Sequence, residues 1–208
     1  MTQYYNVDAD YPDWQTMRLA ATFLQKGALL VYPTDACYAL GCLPQSKSAI
    51  ERIYAFRQLK RSHDFTLLCA DLKMANEYAN IDNMAFKIMK NTTPGPYTFI
   101  LPAHRQVPSF IKELHLEKKD AKTIGIRIPQ HPVLEALLQI LEQPILTTTL
   151  QLPGQDIPLN AESLMDHILQ TYVDVVLDAG PCANEGTTVV DLSVNPPELV
   201  RKGVGGWD

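Results

Sequence analysis

Tyr32-Pro33-Thr34-Asp35-Ala36-Cys37-Tyr38-Ala39-Leu40-Gly41-Cys42 runs on directly from the apolar stretch Ala28-Leu29-Leu30-Val31. The pattern predicts a buried strand over 28–32 that breaks at a Pro-Thr-Asp turn and re-enters the core through Tyr38 to Gly41. Strand ends of open α/β sheets are where ligands bind, because side chains and free backbone groups converge there. Thr34 and Asp35 bring a hydroxyl and a carboxylate to such an edge. Taken alone, the same residues also suit an ordinary turn.

Working outward, strand and helix patterns alternate. Asp10 and Pro12 open a helix with Trp14, Met17, Ala21 and Leu24 on its apolar face, closed by Gly27. Ser48-x-x-Glu51 reads as a capping box ahead of Ile50, Ile53 and Tyr54. Phe65 to Cys69 reads as a strand, Asp71 caps a short helix with Leu72, Ala75 and Tyr78, and another helix covers Met84 to Lys90. Thr93-Pro94-Gly95-Pro96 is a turn. Further strands are predicted at 97–101, 123–128, 145–149, 173–177, 188–192 and 198–201. Helices open at His131-Pro132, with Leu134, Leu137, Leu138 and Leu141, and at Asn160, with Leu164, Ile168 and Leu169. Some late strands follow one another without a helix between, so the prediction is an α/β fold with a twisted, mixed sheet.

No linker, repeat or low-complexity segment divides the 208 residues, which predicts one domain over 1–208. A hydrophobic content of 46% and a charged content of 20% predict a globular chain with a proper core. The formal charge of -5 argues against coating nucleic acid by bulk positive charge, although a local basic groove stays open. Glu117-Lys118-Lys119-Asp120-Ala121-Lys122 reads most simply as a solvated loop, with contact to a polyanion as the alternative. There is no apolar run long enough for a membrane span, and Met1 to Asp10 lacks a secretory pattern. Cys37, Cys42, Cys69 and Cys182 lie in or beside apolar segments, as free thiols of a reducing cytoplasm do. Neither the C-x4-C pair at 37 and 42 nor the five scattered histidines has metal-ligand spacing, and the histidines read as surface or capping residues.

Several polar groups stand at predicted strand ends: Thr34 and Asp35; Arg57, Lys60 and Arg61; Arg127; Thr147, Thr148 and Thr149; Thr187 and Thr188; and Arg201 before Gly203. A polyphosphate needs this mixture, because cations offset its charge while hydroxyls and backbone donors fix its oxygens. Singly, each has a plain structural role: Arg127 as a salt-bridged sheet residue, the threonines as β-formers, Lys60-Arg61 as charge at a helix end. The chain has neither G-x-x-x-x-G-K-[ST] nor G-x-G-x-x-G, which excludes the usual phosphate and dinucleotide loops.

In this order the clusters resemble the YrdC/YciO family, whose best-known members are threonylcarbamoyl-adenylate synthases. The matching pieces are Pro33-Thr34-Asp35 with Tyr38 and Leu40-Gly41; Ala49-Ile50-Glu51-Arg52-Ile53; Gly125-Ile126-Arg127-Ile128-Pro129; Thr147-Thr148-Thr149 with Gly154; Thr187-Thr188-Val189-Val190-Asp191; and Arg201-x-Gly203. The resemblance implies a YrdC/RibB-like open sheet flanked by helices, with a concave surface binding ATP and L-threonine. It implies a nucleotidyltransferase that joins L-threonine, bicarbonate and ATP, with Mg²⁺ entering on the ATP and no tightly bound metal. The products are threonylcarbamoyl-AMP, used by partner proteins to modify a tRNA adenosine, and pyrophosphate. By position, Arg57, Lys60 and Arg61 become the catalytic cations. Thr34, Tyr38, Thr66, Arg127, Thr149 and Gln151 face the substrate, and Thr147, Thr187, Thr188 and Arg201 the nucleotide. Gly203-Val204-Gly205-Gly206 becomes a tail able to move over the site.

Two motifs depart from the synthases. Their Lys-x-Arg is replaced by Arg57-Gln58-Leu59 with Lys60-Arg61 directly after, and their Ser-Thr-Ser-Ala-Asn by Thr147-Thr148-Thr149-Leu150-Gln151. Leu150, Pro153-Gly154 and Phe65-Thr66-Leu67 resemble the YciO branch more closely. Two alternatives therefore accompany the synthase reading. One is a module binding double-stranded, transfer or ribosomal RNA; the other is a nucleotidyl or carbamoyl transferase for a different substrate. The sequence leaves the oligomeric state open.

Overall fold

Period-two alternation builds two cores on one sheet. Leu29, Val31, Tyr38, Leu40, Leu67 and Val176 turn to one face, and Leu30, Tyr32, Ala39, Leu68, Val175 and Leu177 to the other. The computed structural model describes residues 2–59, 65–104, 123–152, 154–161 and 171–207. Its elements are β1 (Gln3–Asn6), α1 (Trp14–Gln25), β2 (Leu30–Tyr32), β3 (Ala39–Cys42), α2 (Lys47–Arg57), β4 (Thr66–Leu68), α3 (Leu72–Tyr78) and α4 (Asn83–Thr92). They continue with β5 (Tyr97–Pro102), β6 (Thr123–Arg127), α5 (Pro132–Leu141), β7 (Ile145–Thr149), β8 (Val175–Asp178), β9 (Thr188–Asp191) and β10 (Glu198–Arg201).

The strands form one sheet in the order β1-β8-β2-β3-β7-β4-β6-β5-β9-β10. Pairs β1·β8, β8·β2, β4·β6 and β5·β9 are parallel, and the remaining neighbours are antiparallel. This is the single-domain mixed open sheet that the strand and helix pattern predicts. Helices α2, α3 and α4 cover one face through Ile50, Ile53, Ala75, Ala85 and Met89. Helices α1 and α5 cover the other through Met17, Leu24, Val133, Leu134 and Leu137. No helix among the described residues is long and apolar enough to cross a membrane.

Local differences from the sequence reading have physical causes. β1 is an unpredicted edge strand, half exposed and polar, so its sequence carries little alternation. Trp14 begins α1 beyond the sheet and is 48% exposed, while Ala20 takes the expected place in the core. Asp13 caps that helix by accepting from the Thr16 amide. The capping box at Ser48 does not form: α2 starts at Lys47, and Ser46 caps it without a side-chain bond. His131 does cap α5, with Nδ1 accepting from Val133 N–H at 3.3 Å. The helix expected from Asn160 and the loop at 117–122 lie outside the described residues.

Candidate functional site

On the face carrying α1 and α5, the threonine-rich rows of β7, β4, β6, β5 and β9 line a cavity of about 440 Å³. Its floor follows one transverse row of the sheet, Thr147–Thr66–Gly125–Ile100–Asp191. Small residues keep this floor low. A Cβ on Gly125 would stand 2.8 Å from Thr66 Oγ1 and 3.2 Å from the Phe65 carbonyl, far inside van der Waals contact.

Three guanidinium groups border the cavity, from α2, β6 and β10. Arg57, the last residue of α2, donates from Nη1 to the Gln151 carbonyl at 2.8 Å and to Gln151 Oε1 at 3.3 Å. Burial works against its charge and lowers its pKa. Arg127 is 6% exposed and pairs with Asp35, whose other oxygen accepts from Gln130 N–H at 3.0 Å. Arg201 reaches back over Thr187, donating from Nη2 to its carbonyl at 2.9 Å. Arg57 Nε and Arg127 Nε are buried without a hydrogen-bond partner, leaving unspent donors on two cavity-lining cations.

The hydroxyls divide into committed and free. Thr34 Oγ1 donates to the Cys37 carbonyl at 2.7 Å and accepts from Ala36 N–H and Arg127 Nη2, each at 3.0 Å. It therefore shapes the turn and steers Arg127, and is not part of the cavity lining. Thr188 Oγ1 donates to the Gly205 carbonyl and accepts from Gly203 N–H at 3.0 Å. Val204 N–H and Tyr97 hydroxyl bonds to the Gly186 and Gly206 carbonyls complete the anchoring of 203–206, which corrects the expectation of a tail over the site. Thr187 Oγ1 lies 2.8 Å from Thr98 Oγ1 and accepts from Arg201. Thr66 lines the cavity without a hydrogen bond to any described residue. Thr149 lines it beside the Cys37 thiol.

Two expected substrate contacts lie elsewhere. Tyr38 alternates away from Ala39, so its side chain enters the opposite core, where the hydroxyl bonds to Asp178 Oδ1 and the Gly180 carbonyl, each at 2.7 Å. Gln151 spends its amide on Arg57 and on the Gln155 carbonyl at 2.9 Å. Lys60 and Arg61 fall outside the described residues. The structure adds Cys37, Thr98, Ile100, Gly125 and Asp191 to the lining. The alternation of Thr98 and Ile100 about the buried Phe99 was the available signal for that wall. Burial pushes the Cys37 thiol upward, while Arg127, Arg201 and Arg57 pull it back. Among the described residues, no three or more His, Cys, Asp or Glu side chains gather as a metal site.

The Sua5/YciO/YrdC family model, named for telomere recombination, matches residues 22–203. The uncharacterised YciO protein of Escherichia coli K12 is 42% identical over 99% of this chain and 97% of its own length. The E. coli YciO crystal structure superposes with a TM-score of 0.91, covering 99% of this chain and 98% of that one. The threonylcarbamoyl-AMP synthase of Pyrococcus abyssi is 27% identical over 98% of this chain, which spans 58% of that longer protein. A crystal structure of P. abyssi Sua5 complexed with L-threonine has a TM-score of 0.83 at 26% identity, over 97% of this chain and 58% of that one. With a family match over most of its length and the fold of YciO throughout, the chain belongs to the Sua5/YciO/YrdC family.

Proposed function

We propose that the cavity binds ATP and L-threonine and, with bicarbonate, forms threonylcarbamoyl-AMP and pyrophosphate at a low rate. The carrying observation is the convergence of Arg57, Arg127 and Arg201 on one threonine-lined cavity. Its size falls in the range of roughly 300–1,000 Å³ usual for small-molecule sites. Likeness to the P. abyssi synthase supports the substrate assignment. Such a reaction needs positioning, charge stabilisation on the leaving pyrophosphate and exclusion of water, so it requires no nucleophile from the protein. Mg²⁺ would arrive on the phosphates, with Asp191 as a carboxylate on the cavity wall. A missing cation of the Lys-x-Arg motif would cost about 2–4 kcal/mol of transition-state stabilisation, which accounts for the low rate.

Duplex RNA is the competing ligand. It is bound through phosphate contacts across grooves, by side chains that stand clear of the surface. Arg127 is recessed at 6% exposure and paired with Asp35, which favours a small ligand held inside. The deciding assay is pyrophosphate release from ATP with each substrate omitted in turn. Release that requires both threonine and bicarbonate is expected. Release indifferent to threonine at high protein concentration would overturn the reading.

A further inference from the structure

We infer that Thr147 supplies the cavity with a fixed hydrogen-bond acceptor, so that the ligand group beside it is an N–H donor of an amine and not a phosphate oxygen. A hydroxyl has one proton and two lone pairs. Thr147 Oγ1 spends the proton on the Leu40 carbonyl at 3.2 Å and one lone pair on the Tyr32 O–H at 2.8 Å. Its second lone pair has no partner among the described residues, and the residue lines the cavity floor.

The direction of the Tyr32 bond is held from three sides. Tyr32 is 0% exposed, and its hydroxyl has no other acceptor among the described residues. Burial raises its pKa, so the phenol stays protonated and remains a donor. Reversing the pair would leave a buried O–H unsatisfied and take the Thr147 proton from Leu40, a double loss in a dry interior. Gly41 makes the approach possible: a Cβ there would collide with the Tyr32 hydroxyl and stand 2.8 Å from Ile145 Cγ2. Tyr32 thus crosses over Gly41 to reach the strand beyond, because Gly41 pairs with Thr147.

An acceptor at this point repels a phosphate oxygen and suits a protonated amine, whose charge strengthens the bond beyond what a neutral hydroxyl donor gives. On the same wall Arg127 presents an unpartnered buried Nε, suited to a carboxylate. Together they provide the two ends of an α-amino acid, with the phosphates left to Arg57 and Arg201. Naming an amino acid as the carrier of the amine rests on the function proposed above.

Calorimetric binding of L-threonine and of ATP tests the assignment. Thr147→Val alone would orphan the Tyr32 hydroxyl, so the informative variant is Tyr32→Phe with Thr147→Val, which removes both partners of the bond. It should bind L-threonine roughly tenfold more weakly, equivalent to about 1.4 kcal/mol, with ATP affinity changed less than twofold. Thr147→Ser keeps the hydroxyl and should retain threonine affinity. Unchanged threonine affinity in the folded double variant overturns the inference, as does an equal loss for ATP or a matching loss in Thr147→Ser. Absence of threonine binding by the unaltered protein, with ATP bound normally, overturns the amino-acid reading itself and the amine assignment with it.

Discussion

The two halves of one sheet face have opposite characters. Over β8, β2 and β3 the residues Val175, Leu177, Leu30, Tyr32 and Ala39 pack against α1 and α5. Over β7, β4, β6 and β5 the equivalent rows carry Thr147, Thr66, Gly125 and Thr98, and among the described residues no helix packs on them. The covered half removes apolar area from water and gains about 25 cal/mol per Å² by it. The bare half forgoes that gain and keeps hydroxyls and guanidinium groups accessible. Apolar packing and the polar cavity therefore occupy different stretches of the same surface.

The harshest way to break this division is to strip the charge balance of the bare half. Asp35→Ala leaves Arg127 buried without its partner, and should lower unfolding stability by about 3–5 kcal/mol in a urea melt. Exchanging the chemistry of the halves should give unequal penalties. Val175→Thr puts a hydroxyl into the fully buried covered half and should cost about 1–3 kcal/mol. Thr66→Val, whose hydroxyl has no partner to lose, should shift the melt by less than about 0.5 kcal/mol yet weaken ATP or threonine binding. Similar melts for these two variants would dissolve the comparison. Gly125→Ala raises the cavity floor against Thr66 Oγ1 and should reduce ligand affinity roughly tenfold, read by calorimetry, with a smaller loss of stability.

The smallest effect concerns the joint between the halves. His131 caps α5 on the covered side, while the neighbouring Gln130 N–H binds Asp35 on the bare side. Burial lowers the His131 pKa from its ordinary 6.5, against Asp35 and Asp10, which raise it, and with Arg127, which lowers it further. The unfolded chain therefore takes up the proton first as pH falls. His131 contributes stability that is present above about pH 6.5 and lost as pH drops through its lower folded value. His131→Asn, which can still cap, should flatten stability over that window in melts from pH 7 to 5; an unchanged slope would assign it to other groups.

The strands other than β1, most helices and the gathering of Arg57, Arg127, Arg201, Thr149 and Thr187 on one cavity were legible as apolar periodicity and polar strand ends. What escaped was the distinction between a hydroxyl near a site and a hydroxyl available to it. Thr34, Thr147 and Thr188 look alike in sequence, but each has its proton committed to a backbone carbonyl contributed by the three-dimensional packing. Tyr38 shows the other limit. Its side follows from alternation with Ala39, but which face would hold the cavity depended on where the helices packed.

The position of β7 between β3 and β4 bears on how the chain matures. The cavity floor joins residues 147, 66 and 125 across neighbouring strands, and its far wall needs β9, whose Thr188 pairs with Tyr97. A ribosome-bound chain ending before residue 149 has no floor, and one ending before residue 188 lacks the far wall. Such distant pairings delay folding, because loops must close before contacts reward them. A ligand of this cavity would then engage only the finished topology, adding its binding energy to the complete native state and withholding it from every partial one.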